Sequence, residues 1–290
     1  HVGGILGLIL SLYSGDTTVI QPRFDAGRWL ELAEHHGVAS SFLVPTMLAR
    51  ILEHPNFAGT DLSSLISIAY GAAAAPTELI RRAMAALPDV AFANVFGQTE
   101  TLGAYTTLGP ADHHDPERIG SVGRPLPNVK VRIVDPDTGN DVADGEAGEL
   151  WVDSPQNVRP GWLRTGDLAR QDSDGYLYPT GRMSDTINRG GEKFGPAEVA
   201  EALRSHPDVS DVAVAGIPDP EMGERVGVAV VASHGAPLTT EGLRDWCRPR
   251  LASYKLPEIV VFVDALPYNE LGKLSRKATA ELIANEAKGQ

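Results

Sequence analysis

From Thr17 to Phe96 short apolar runs alternate with stretches of helical period, and no other feature restricts the architecture as strongly. The runs Thr17 to Ile20, Val38 to Val44, Leu65 to Tyr70 and Val90 to Phe96 predict strands; Asp25 to His36, Thr46 to Glu53 and Pro76 to Leu87 predict helices. Asp25 suits an N-cap, Trp29, Leu32 and Ala33 supply a buried stripe, and Gly37 can stop the helix in a left-handed conformation. Repeated strand, helix, strand units imply a parallel sheet with helices on its faces, because parallel neighbours need a crossover. Ligands of such open sheets sit beyond the carboxyl ends of the strands. Two loops occupy that position, Gly71-Ala72-Ala73-Ala74-Ala75 and Gly97-Gln98-Thr99-Glu100, and their small residues let a planar ligand lie against the backbone.

The pattern changes after about Asp115. Val129, Val131 and Ile133 alternate with Lys130 and Arg132, and Gly148 to Val152 follows as another strand between turn-rich segments, which predicts a small antiparallel sheet closing as a β-barrel. A second change follows Arg182: a helix at Pro196 to Leu203 with strands at Val209 to Val214, Val226 to Val231 and Ile259 to Val263 reads as a separate α+β unit. The expected organisation is an α/β parallel-sheet subdomain over about 1–114, a β-barrel subdomain over about 115–182, and a mobile α+β C-terminal domain over 183–290. The 290-residue chain is 42% hydrophobic, enough for a sizeable core. It opens at His1 directly into the apolar run Val2 to Leu10, as though entered in mid-domain, so a fragment is expected and the run reads as a buried helix. A membrane span needs about 20 apolar residues, and this run meets Ser14-Gly15-Asp16 too soon.

A net charge of -13 argues against a nucleic-acid partner, because phosphate backbones are bound by clustered Lys and Arg. The single cysteine, Cys247, allows no intrachain disulfide and fits a reducing, cytoplasmic setting; its expected role is a small packed side chain.

Several polar residues on loops have chemistry suited to a nucleotide. The Thr99 hydroxyl suits a phosphate oxygen and the Glu100 carboxylate suits magnesium, although Thr-Glu also opens ordinary helices. Asp167, after the glycine of Arg164-Thr165-Gly166-Asp167, can accept from both hydroxyls of a ribose or simply close a turn. Arg182 is either a donor to the same ribose or a linker charge. Near the end, Pro267-Tyr268-Asn269-Glu270-Leu271-Gly272-Lys273 places a lysine behind a glycine; it is either a solvated loop tip or a cation that bridges a carboxylate and a phosphate as charge builds between them.

In combination these segments resemble a known family, the adenylate-forming acyl-CoA synthetases, whose relatives include firefly luciferase and the adenylation domains of peptide synthetases. Val95-Phe96-Gly97-Gln98-Thr99-Glu100 resembles the family's aromatic-Gly-x-Thr-Glu motif, Arg164-Thr165-Gly166-Asp167 its Tyr-Arg-Thr-Gly-Asp motif, and Gly181 to Glu201 its interdomain hinge. The resemblance implies that Phe96, where relatives have tyrosine, stacks on adenine with Gly97 behind it, while Gly71, Ala72 and Ala73 line the other side of the pocket. It further implies that Thr99 contacts the α-phosphate, Glu100 holds Mg2+, Asp167 and Arg182 bind the ribose, and Lys273 bridges the substrate carboxylate and the α-phosphate.

Two half-reactions follow from the resemblance: a fatty or other hydrophobic carboxylic acid attacks ATP to give an acyl-adenylate, and CoA takes the acyl group, leaving AMP. The C-terminal domain turns between them about Ser184, where relatives carry aspartate or lysine, bringing Gly190 and Gly191 to the thiol channel. His1 resembles the histidine of a His-x-x-Gly motif at the acyl pocket, and Ser253-Tyr254-Lys255-Leu256-Pro257 a structural segment. The family's Ser/Thr/Gly-rich loop around the β- and γ-phosphates has no counterpart here, so this chain alone is expected to be inactive. Two alternatives stand beside the acyl-CoA ligase: an aryl-acid adenylating enzyme that loads a carrier protein, and a nucleotide-binding module that has lost catalysis.

Overall fold

Four helices and five strands build the first part of the molecule, and the sequence signals that start them are visible in atomic detail. The structure is a computed structural model and describes residues 2–233, 238–268 and 274–288. The chain divides into two units: one runs to Thr165 and resumes over Ala169–Pro179, the other comprises Gly166–Leu168 and the chain from Thr180 onward.

The first unit opens with α1 (Val2–Ser14) and α2 (Ala26–His36). Asp25 caps α2 by accepting from Arg28 N at 2.8 Å, and Gly37 ends it at φ 58°. Leu30 and Ala33 are the buried stripe, with Trp29 half-buried beside them. There follow β1 (Ser40–Leu43), α3 (Pro45–Leu52), β2 (Ser67–Gly71), α4 (Thr77–Ala86), β3 (Ala91–Gln98), β4 (Gly103–Leu108) and β5 (Arg124–Pro125). These strands form one sheet in the order β1-β2-β3-β4-β5, parallel from β1 to β3 and antiparallel from β3 to β5. Leu43, Leu48, Ile51, Ile68, Tyr70 and Ile80 lie in its core, and each side chain so buried is worth about 1.5–3 kcal/mol relative to exposure.

Two expectations for this part are corrected. Thr17 to Ile20 is not a strand: it pairs with none of the described strands, and Ile20 is exposed. The opening run is a helix but not a buried one, since Ile5, Leu8, Ile9, Leu10 and Leu12 all face outward. An apolar run dictates helix by its period, whereas burial needs a partner surface; here Leu6 against Gly103 is the approach that β4 offers.

The expected antiparallel subdomain is present as an open sheet, β6 (Lys130–Val134), β7 (Ala147–Asp153), β8 (Leu163–Gln171) and β9 (Leu177–Arg182), in that order. Its path is linear, with β6 and β9 at the two ends, rather than closed as a barrel. The predicted alternation appears as Val131 and Ile133 packing on Leu150, Val152 and Leu177.

The second unit contains β10 (Ile187–Arg189), β11 (Glu192–Phe194), α5 (Pro196–Arg204), β12 (Val209–Asp219), β13 (Gly223–Ala232), α6 (Thr240–Cys247), β14 (Ile259–Phe262) and α7 (Arg276–Lys288). Its sheet runs β11-β10-β13-β12, with β14 parallel to β13. Alternate residues go to opposite faces: Val212, Val228 and Val230 join the core beneath α5 and α6, and Ala213, Ala229 and Val261 join the core with Ile283 of α7. Among the described residues no helix is long and apolar enough to cross a membrane.

Candidate active site

Parallel pairing sets Gly71 of β2 opposite Val95 of β3, so the carboxyl ends of the two strands lie side by side and Gly71-Ala72-Ala73 runs beside Phe96-Gly97. The approach is too close for any side chain: a Cβ on Gly71 would stand 2.1 Å from the Val95 carbonyl oxygen, and one on Gly97 2.0 Å from that of Gly103. Chain packing alone therefore demands both glycines. Ala72, by contrast, holds φ 65°, a left-handed conformation that costs a residue with a Cβ about 1–2 kcal/mol. Strain of this kind concentrates at ligand sites, and it falls in the predicted pocket wall.

The Phe96 ring packs edge-on against Tyr105, centroids 5.3 Å apart, which fixes its plane. Beyond it, Thr99–Thr101 forms one 3-10 turn, so the Thr-Glu pair does begin a short helix. Thr101 closes that turn from inside: fully buried, it accepts from Gln98 N at 3.1 Å, and its hydroxyl lies 2.9 Å from Gln98 O and 2.7 Å from Gly103 O. Thr99 and Glu100 are thereby thrown outward. Both are exposed, and among the described residues the Glu100 carboxylate has no hydrogen-bond or ion-pair partner. A hydroxyl and a carboxylate are hard oxygen donors that fit magnesium, which keeps water and nucleotide phosphates as its other ligands. That fit is of this kind only, since the described residues hold no group of three metal-binding side chains.

In the second unit Arg182 Nε donates to Asp167 Oδ1 at 2.7 Å, with the Asp167 side chain 8% exposed and that of Arg182 56%. Asp167 lies within β8 and not in a glycine turn as the sequence suggested; Gly166 has a positive φ of 71° without breaking the strand. Ser184 sits in the turn Met183–Asp185 and donates to Asp185 Oδ1 at 2.8 Å. Gly190 and Gly191 form the exposed turn between β10 and β11. Lys255 pairs with Glu198 of α5, a structural tie between its segment and that helix. Lys273 and His1 lie outside the described residues.

Sequence reasoning missed the supports behind these positions. Glu149, 3% exposed, receives Trp151 Nε1 at 2.9 Å and Arg164 Nε at 2.9 Å, anchoring β8 to β7 three residues before Asp167. Tyr70, immediately before Gly71, is hydrogen-bonded to the buried His113. The pairing Trp151 with Glu149, two apart on one strand face, was the available signal for the first; nothing in the sequence links Tyr70 to His113.

Loops at the carboxyl ends of parallel strands, here carrying outward hydroxyl and carboxylate groups, are the place where open α/β sheets take their ligands. The chain belongs to the adenylate-forming, AMP-binding enzyme family: the model of the AMP-binding enzyme matches residues 1–162 and that of the AMP-binding enzyme C-terminal domain residues 198–273. It is 35% identical to the indoleacetate-CoA ligase of Aromatoleum aromaticum, over 99% of this chain and 58% of that protein. The amide bond synthetase McbA from Marinactinospora thermotolerans superposes with a TM-score of 0.85 at 35% identity, over 92% of this chain and 56% of that one. The o-succinylbenzoate coenzyme A synthetase MenE from Bacillus subtilis, solved in complex with ATP and magnesium ion, superposes with a TM-score of 0.81 at 32% identity, over 96% and 59%. The chain thus spans a little more than half the length of these relatives.

Proposed function

We propose that the protein is an AMP-forming acid:CoA ligase that activates a fatty or other hydrophobic carboxylic acid with ATP. The observation that carries this reading is the outward pair Thr99 and Glu100, set by the Thr101-closed turn next to the strained Ala72 loop. Family membership and the indoleacetate-CoA ligase support the same class of chemistry.

In this reading the adenine lies between the Phe96 ring and the Gly71-Ala72-Ala73 backbone, with Gly97 giving room, and Asp167 with Arg182 takes the ribose. Magnesium, when bound at Glu100, supplies charge neutralisation on the phosphates. The substrate carboxylate oxygen attacks the α-phosphorus; the bond to the β-phosphate oxygen breaks and pyrophosphate leaves with its electrons. Thr99 donates to the α-phosphate, and Lys273 offsets the negative charge gathered between the two reactants. The CoA sulfur then attacks the acyl carbonyl, AMP departs with the electron pair of the broken C–O bond, and the thiol proton passes to solvent. The domain over 183–290 moves about Ser184 between the steps, carrying Gly190 and Gly191 to the thiol.

Incubating the full-length protein with ATP, magnesium and a panel of carboxylic acids, with CoA or a carrier protein as acceptor, tests the assignment. Pyrophosphate release with a CoA thioester as product supports it, and transfer to the carrier alone overturns the acceptor. Lys273→Ala is expected to slow adenylation about 100-fold or more, the scale of removing one preorganised charge-stabilising donor; an unchanged rate removes the lysine from the mechanism.

A further inference from the structure

The Gly190-Gly191 turn is exposed, with φ 59° and 93°, yet the residues ahead of it are tied down one after another. Asn188 N donates to Glu224 Oε2 at 2.8 Å, and Gly190 N donates to the Met222 carbonyl at 2.7 Å. Between them Arg189 reaches Glu258 with two parallel bonds, Nε to Oε2 at 2.7 Å and a terminal nitrogen to Oε1 at 2.9 Å. Glu258 Oε2 is also within 3.3 Å of Val226 N, which ties the pair to β13. Arg189 and Glu258 side chains are only 24% and 19% exposed, so this is a planar, two-bond pair largely shielded from water rather than a surface ion pair. The Arg189 guanidinium holds the Glu258 carboxyl below the usual carboxylate range, so the pair is charged at neutral pH.

Ile187 and Phe194 anchor the far end of the hairpin in the core, and the turn end is held by the Asn188 and Gly190 backbone bonds and by the Arg189–Glu258 pair, which is the side-chain tie next to the glycines. β10 and β11 are three residues each, β10 meets β13 through Arg189 and Gly223, and two consecutive glycines carry the largest backbone entropy of any residue pair. We infer that Glu258 is a positioning residue for thiol transfer: through Arg189 it sets the Gly190-Gly191 turn in the shape that admits the thiol, while touching no reacting atom itself. This rests on the acid:CoA ligase reading. Glu258 stands 69 positions from Arg189, just before β14.

The test separates the two half-reactions in the full-length protein for wild type, Glu258→Ala and Glu258→Gln. Acid-dependent exchange of pyrophosphate into ATP reports adenylation; conversion of the adenylate with CoA reports transfer. Adenylation is expected within twofold of wild type in both variants, whereas transfer falls about tenfold in Glu258→Ala with a raised KM for CoA, the scale of a lost charge-assisted bond. Glu258→Gln, which keeps one acceptor, recovers part of that loss and serves as the comparison should the alanine variant fail to fold. Equal losses in both half-reactions, or wild-type transfer in a folded variant, overturn the positioning role. A wild-type protein that forms adenylate but no CoA thioester instead overturns the ligase reading, and this inference with it.

Discussion

The Tyr70 hydroxyl and His113 Nε2 lie 2.9 Å apart in the interior of the first unit, and His113 Nδ1 lies 2.7 Å from the Gly109 carbonyl oxygen. A carbonyl can only accept, so Nδ1 carries the proton, Nε2 is the acceptor, and the Tyr70 hydroxyl donates to it. Burial pushes Tyr70 above the ordinary phenol range and His113 below the ordinary imidazole range, the latter opposed in part by the Gly109 bond. The neutral pair holds the end of β2 directly before the Gly71-Ala72-Ala73 loop.

A pH dependence of stability follows. Because the folded pKa of His113 is depressed, the unfolded chain binds the proton first as pH falls. The contribution is complete above about pH 6.5, the unfolded value, and is lost progressively below it. Urea midpoints of wild type should fall from pH 7.5 to 5.5 more steeply than those of His113→Gln, which should itself be less stable at pH 7.5 by about 1–3 kcal/mol. Parallel slopes for the two proteins would exclude His113 as the titrating group.

Glu149 and Arg164 should respond unequally to substitution. Glu149 is buried and Arg164 largely exposed, so Arg164→Ala strands a carboxylate in the interior with Trp151 Nε1 beside it, at a cost of about 3 kcal/mol. Glu149→Gln keeps an acceptor for Trp151 and releases Arg164 to water, at about 1 kcal/mol. Denaturant unfolding of both variants decides the order, and a larger loss in Glu149→Gln contradicts the argument.

Asp167→Asn should weaken nucleotide binding without affecting the acid. The change removes the charge that Arg182 meets at 2.7 Å and that is assigned to the ribose, so KM for ATP should rise about tenfold while KM for the carboxylic acid holds. Steady-state kinetics with each substrate varied in turn would reveal it; an equal rise in both constants speaks for a structural role only.

Cys247 should resist alkylation. It is fully buried at the end of α6, and desolvation pushes its thiol up to about 11, so almost no thiolate exists at neutral pH. Iodoacetamide at pH 7.5 should label it only after denaturation; rapid labelling of the native protein would place the thiol outside the core.

The strands β1, β2 and β3 and the helices α2 and α4 were legible because local rules mark their ends and their buried faces: the Asp25 cap and the Gly37 stop of α2, and the proline that opens α4. Thr99, Glu100 and Asp167 were legible as chemistry, since a side chain's donors do not depend on the fold. The surroundings of Asp167 were not, because glycine at positive φ reads as a turn in one dimension and can be carried within a strand once neighbours pair on both sides. The opening helix was misread for a related reason: its period is local, and its exposure depends on what packs against it.

The sequence by itself determined the alternation of strand and helix, the family motifs and the types of group that meet a nucleotide, all of which follow from neighbours a few residues apart. Only the tertiary structure decided that Gly71 and Gly97 are glycine because carbonyls crowd them, that Thr101 turns Glu100 outward, and that Glu258 grips Arg189. Those relationships join residues brought together by sheet pairing and burial. Their energies come from desolvation and close approach, which a linear order of side chains does not contain.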